Sequence, residues 1–184
     1  MKKNIFLFYF TLCVVYGSSS VSQNLFDISQ IPVDTITKLI SYKEVVQEKG
    51  SADELYNRAI EWFNSFYKNP TGVTRIRDPQ NHKITGVAQF KIKKTDKDGV
   101  NIDAGNIAYT IILEFKDNRY RYELTNFNHK RTSYFPLERW LDPKDPQYNS
   151  DCPEFIKQVH NYSQELIKSL KQGMKPKVII EDNW

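Results

Sequence analysis

The side chains best suited to chemistry are three histidines, His82, His129 and His160, and the cysteine Cys152. A nucleophilic cysteine needs a base within hydrogen-bond reach. Cys152 and His160 fall on one expected helix, eight residues apart, and that is about 12 Å along its axis, too far for proton transfer. A zinc site needs His, Cys or carboxylate ligands at short paired spacings. None of the histidines has such a partner nearby. Asp96, Asp98 and Asp103 crowd a polar stretch from Thr95 to Gly105. Its D-K-D-G-V-N matches part of a calcium loop, but the twelfth-position Glu and the preceding helix are missing. The spacing therefore favours a solvated hairpin loop. There is no G-x-S-x-G elbow, Gly-rich phosphate loop or paired-carboxylate motif. The sequence thus names no catalytic, cofactor-binding or metal-ligating residue.

The other chemistry on offer is charge. Lys83, Lys91, Lys93, Arg119 and Arg121 occupy outward positions of alternating segments. With Arg75 and Arg77 they give a candidate basic sheet face, an interaction surface. Glu114 and Glu123 interleave with these cations and make ordinary cross-strand pairs the competing reading.

The elements that must position these residues are legible from periodicity. Two alternating runs meet at Asp117-Asn118. Ile107, Tyr109, Ile111, Leu113 and Phe115 share one face, and so do Tyr120, Tyr122 and Leu124. Asp and Asn tolerate the positive φ of a two-residue turn, so this is a β-hairpin. Upstream, His82 to Lys93 puts Ile84, Ala88, Phe90 and Ile92 on one face and Lys83, Thr85, Gln89, Lys91 and Lys93 on the other. Shorter strands are expected at Leu39–Gln47, Val73–Arg77 and Lys177–Ile180. Ser51-Ala52-Asp53-Glu54 is a capping box. It starts a helix whose apolar face is Leu55, Ala59, Trp62, Phe63 and Phe66, and Pro70 ends it. A Pro- and aromatic-rich connection, 129–150, has the composition for a short turn of helix at Pro136–Trp140. A last helix, 151–173, then starts at an Asp151/Glu154 box and stops at Gly173, a good C′ residue. Phe155, Val159, Tyr162, Leu166 and Leu170 form its buried stripe.

The first 22 residues read as an export leader: Lys2 and Lys3, an apolar run from Ile5 to Val15, then small residues. That run is too short to span a bilayer. Cleavage is expected before Gln23, with Ser20 the nearby alternative. Residues 23–38 are a lead-in and 174–184 a tail. Cys13 leaves with the leader, and one remaining cysteine cannot form an internal disulfide. The formal net charge of +4 falls to +2 without Lys2 and Lys3. Such a weakly basic exported chain is a poor nucleic-acid binder.

The elements order as β-α-β-β-β-β-α. This order implies an α+β fold, with four or five antiparallel strands and both helices on the apolar face. At S-A-D-E-L-Y-N-R-A-I-E-W-F, I-T-G-V-A-Q-F-K-I and N-I-A-Y-T-I-I-L-E-F-K-D-N-R-Y-R-Y-E-L the chain resembles a family of unknown function. It is found in exported Bacteroidetes proteins and described as having a TBP-like fold. The resemblance covers roughly 39–128 and implies a TBP-like single domain. It carries no catalytic residue onto this sequence, and it implies no DNA binding, since fold does not fix function. The expected function is a non-catalytic binding module for an unknown protein or envelope component. It would be periplasmic, envelope-associated or secreted, with no cofactor and no transmembrane segment after the leader. One alternative is a hydrolase-type enzyme built from Asp142, Asp145, Asp151 and His160. Another is a structural envelope protein that assembles with itself.

Overall fold

The computed structural model describes residues 26–176. The expected leader, with Cys13, and the strand expected at Lys177–Ile180 lie outside the described residues. Five strands form one antiparallel sheet: β1 (Tyr42–Gln47), β2 (Thr74–Asp78), β3 (Lys83–Thr95), β4 (Asn101–Lys116) and β5 (Arg119–His129), in the order β1-β5-β4-β3-β2. Helix α1 (Ala52–Phe66), a single turn α2 (Pro70–Val73) and the long helix α3 (Cys152–Gly173) complete the fold. The α+β expectation, with five strands, is what the chain adopts.

The alternation that predicts the central hairpin also sets its register. Lys116 pairs with Arg119 across Asp117-Asn118, where Asn118 has φ of 60°. Ile107, Tyr109, Ile111, Leu113 and Phe115 are all buried on the helix side, with Tyr120, Tyr122 and Leu124 beside them. The Ser51 capping box forms: Ser51 Oγ accepts from Glu54 N at 3.2 Å and Glu54 Oε2 from Ser51 N at 2.8 Å. Leu55, Ala59, Trp62 and Phe63 are then buried, Trp62 against α3, where its Nε1 donates to Ser169 Oγ at 3.1 Å.

Several boundaries differ from the sequence reading, each for a local reason. β1 begins at Tyr42 rather than Leu39, because Asp34 caps a tight return whose Lys38 has φ of 61°. That return pairs Val33 with Ile40, so the lead-in is partly built into the fold, with Ile31 in the core. The polar loop shrinks to residues 96–100. The Asp96 carboxylate accepts from Asp98 N and Val100 N, and this closes the turn early enough for Asn101 to pair with Thr95. Ala104 is an extra residue in β4, between the Ile92–Gly105 and Lys93–Asp103 pairs. Gly105 is required beside it, since φ is 108° and a Cβ would sit 2.4 Å from His129 Nε2.

The expected Asp151 cap does not form. Asp151 already has helical angles and makes no cap bond; its carboxylate pairs with Lys94 at 3.3 Å. Gly173 is not a left-handed C′ residue but the last helical one, with Met174 next to it in the right-handed region. Its glycine is a packing requirement: a Cβ there would lie 2.6 Å from the Trp62 ring. The 129–150 connection does contain the expected turn, a 3-10 helix at Leu137–Trp140. Phe135 is buried beside it, with the Arg131 and Arg139 guanidinium groups 4.1 and 5.1 Å from its ring centre.

Candidate functional site

The cations expected on one basic face divide into several environments. Lys83 and Arg121 both clasp Glu114, from the strands on either side of it. Lys91 is held by Asp103 at 2.7 Å. Arg77 pairs in register with the buried Ile84, so it lies on the helix side of edge strand β2 and not on the outer face. Arg75 sits at a β2 irregularity and donates to the Gly72 carbonyl at 2.6 Å, closing α2. Lys93 and Arg119 have no ion-pair partner among the described residues. Arg119 and Arg121 border a hollow of about 220 Å³ with Val45, Glu114 and Lys116. The outer face is therefore a mixed-charge surface, with one row of alternating sign at Lys83–Glu114–Arg121 and with Val45, Ile76 and Val87 exposed.

The three histidines lie in separate surroundings. His160 Nδ1 lies 3.1 Å from Tyr42 Oη under Phe26, and burial lowers its pKa. His129 is lowered by burial and then by Arg131, which donates to its Nδ1 at 3.0 Å. His82 lies 2.9 Å from Asp53. Cys152 is buried, and burial raises its thiol. The enzyme candidates are held by different partners: Asp145 by Arg139, Asp151 by Lys94, His160 by Tyr42. Asp142 accepts from Lys144 N. The described residues contain no group of three His, Cys, Asp or Glu placed to hold a metal ion, and no helix among them is long and apolar enough to cross a membrane.

What the fold does assemble is a cleft at the edge of β3. β2 pairs with β3 only as far as Gly86, opposite Thr74. Beyond it α2 turns the chain away, started by Asn69, whose Oδ1 accepts from Gly72 N at 2.9 Å. Phe115 N donates to His82 O, so even-numbered β3 residues bond to β4. Antiparallel alternation then turns the odd-numbered ones the other way. Beyond the Thr74–Gly86 pair, Gln89 and Lys91 thus point backbone N–H and C=O groups out of the sheet. Lys93 points the same way but is closed: Gln158 of α3 accepts from its N–H at 3.0 Å and donates to its carbonyl at 2.8 Å.

A cleft of about 840 Å³ wraps the open stretch. Ala88, Phe90, Phe66, Tyr67 and Tyr162 line it on the helix side; Val87, Gln89, Ala108 and Lys130 line it on the outer side. Phe90 stacks on Tyr162 at 3.9 Å between ring centres. Three hydroxyls form a chain behind them, Tyr67–Tyr109–Tyr162, each step 3.1 Å. Burial raises the pKa of all three, so they stay protonated donors.

Sequence reading misses this site. Periodicity places Tyr109 and Tyr162 in core stripes, and Tyr67 only at the end of a helix. A signal for the edge is present in the strand lengths: a five-residue segment, Val73–Arg77, cannot cover the twelve residues of His82–Lys93. For the hydroxyls, the only hint is that a buried tyrosine O–H needs a partner.

The fold and its elements recur in solved structures. A TBP-like protein from Parabacteroides distasonis ATCC 8503 superposes with a TM-score of 0.61 at 14% identity, over 78% of this chain and 96% of that one. A DUF4468 family protein from Bacteroides ovatus ATCC 8483 gives 0.63 at 13% identity, over 83% and 94%. At these identities the likeness shows the fold alone. No curated protein sequence is a match. The family model for the domain of unknown function (DUF4468) with TBP-like fold matches residues 42–130, the segment from β1 through β5.

Proposed function

We propose that this protein is an exported, non-catalytic binding module of the cell envelope that takes an extended segment of a partner protein along the open edge of β3. The observation that carries this reading is the unpaired stretch of β3 around Gln89, whose outward backbone groups face an aromatic-lined cleft. Strand addition of this kind draws its affinity from main-chain hydrogen bonds and its selectivity from side-chain pockets on alternate residues. Natural sheets normally blunt or cover a bare edge. Here Gln158 covers Lys93 and leaves the neighbouring residues open. The basic, apolar and small-residue pattern of residues 1–22 supports export.

The test uses the purified protein and an envelope extract from its source organism. Gln89→Pro removes the central outward N–H while leaving the β3–β4 ladder intact, and proline is tolerated on a strand edge. Wild type should retain a partner that Gln89→Pro, with an unchanged melting temperature, does not. Equal retention by both, or no retention together with an unaltered envelope on gene deletion, rules the reading out. A dimer in light scattering that Gln89→Pro disperses would make the occupant a second copy instead.

A further inference from the structure

We infer that the segment taken at the β3 edge is acidic, with side-chain carboxylates that meet Lys68, Arg75 and Lys130 and a hydroxyl of the tyrosine chain. This rests on the strand-addition reading above and specifies its partner. Two independent observations lead to it.

The first is charge. The residues lining the cleft include three cations and no carboxylate. Elsewhere on the sheet surface Lys83, Arg121 and Lys91 each have an acidic neighbour, and Arg119, which has no ion pair among the described residues, still borders a hollow that Glu114 lines. Lys68 and Lys130 have no ion-pair partner among the described residues, and both are exposed. Arg75 uses its guanidinium on the Gly72 carbonyl, which holds it at the cleft without neutralising it. The cations come from three elements: Lys68 lies just past α1, Arg75 in β2 and Lys130 just past β5. A segment running along the edge meets them at separate points, so interior acidic side chains fit better than one terminal carboxylate.

The second observation is a proton count. A tyrosine hydroxyl has one proton to donate. Three hydroxyls joined by two hydrogen bonds use two protons, whichever way the chain runs. One O–H is left with no acceptor inside the chain. If the chain donates in one direction, that proton sits on Tyr67 or on Tyr162, and both line the cleft. The other polarity, with both ends donating inward, leaves it on fully buried Tyr109, where the described residues offer no further acceptor; an unpaired buried donor disfavours that arrangement. One O–H of the chain therefore needs an acceptor outside it, Tyr67 and Tyr162 both line the cleft, and a carboxylate brought in beside the cations would supply that acceptor.

The probe is a library of random octapeptides, displayed with both ends joined to a carrier and panned on the immobilised full chain. Enriched sequences should be rich in Asp and Glu and poor in Pro. A synthetic peptide of an enriched sequence should bind at least ten-fold more weakly to the surface double variant Lys68→Glu/Lys130→Glu. Its affinity should fall as salt rises, and Tyr162→Phe should weaken it further. Replacing its acids by amides should cost as much as the double variant. Free and amidated C-termini should bind alike. Neutral or basic enriched sequences, or equal binding to the double variant, overturn the acidic assignment. If such peptides still lose binding to Gln89→Pro, strand addition stands without it. If Gln89→Pro binds them as wild type does, strand addition fails as well. A strong preference for the free C-terminus replaces side-chain carboxylates with a terminal one and also overturns the assignment.

Discussion

Strands β4 and β3 lie side by side with matching inward alternation, yet one is closed and the other half open. β4 is paired on both sides from Ile107 to Glu114, and Ile107, Ile111 and Leu113 are completely buried. β3 is paired to β4 throughout but to β2 only as far as Gly86. Its inward residues carry the same gradient: Ile84 and Ile92 are buried at the ends, while Phe90, between them, is only partly covered. The fold thus places its stability in β4 and keeps a stretch of β3 available. The difference arises from the lengths of the neighbouring strands. β4 turns tightly into the long β5, whereas β2 is cut short by the α2 turn.

The largest effect should come from the closed strand. Ile111→Asp puts an unpaired carboxylate between α1 and the sheet, and burying an isolated charge costs more than the few kcal/mol a domain can spare. Far-UV circular dichroism should show an unfolded chain at about 25 °C. A folded variant would mean that residue 111 faces outward, and the register would be off by one.

A paired proline scan contrasts the strands directly. Thr110 pairs with Thr125 of β5, and the alternation turns its N–H toward that strand. Thr110→Pro should therefore lose a ladder bond and cost about 3 kcal/mol or more. Gln89→Pro lies one strand away, at a position whose N–H has no strand to meet, and should change stability by less than about 1 kcal/mol. Urea denaturation measures both. Similar costs would show that the β3 edge is covered in solution.

Legibility from sequence divides along the same line. The alternation of β4 and β5 names every buried residue from Ile107 to Leu124 but Ala108, because the inward face is apolar without exception over that stretch. Beyond Leu124 the pattern breaks. Asn126 takes φ of 53° and shifts the register, so Thr125 and Phe127 are both buried. The Asp151 cap and the Gly173 stop mislead because each residue answers to a distant partner, Lys94 and Trp62 respectively. The cleft is illegible for the same reason. Its tyrosines are 42 and 53 residues apart in sequence, and no local rule joins them. Local signals find elements and caps; sites built from three elements need the packing.

Gln158 marks the boundary between the closed and open parts of β3. Its amide replaces a neighbouring strand at Lys93. Gln158→Ala removes the two exposed hydrogen bonds to Lys93, with a longer one to Glu154, and should cost about 1 kcal/mol. Amide hydrogen exchange at Lys93 should then rise toward the rates at Gln89 and Lys91. If Lys93 stays protected, something other than Gln158 closes that end of the edge.

The smallest effect belongs to the outer face. Arg121 lies opposite Val45 and Glu114 in register, and its guanidinium bonds to the Glu114 carboxylate. Its side chain is half exposed, and Lys83 holds the other Glu114 oxygen at 3.2 Å. Exposed pairs of this kind contribute about 0–1 kcal/mol, and the remaining lysine keeps the carboxylate compensated. Arg121→Ala should therefore leave stability in urea within about 0.5 kcal/mol of wild type and leave peptide capture at the β3 edge unchanged. A loss of capture would relocate the binding surface to the outer face, where the sequence first placed it.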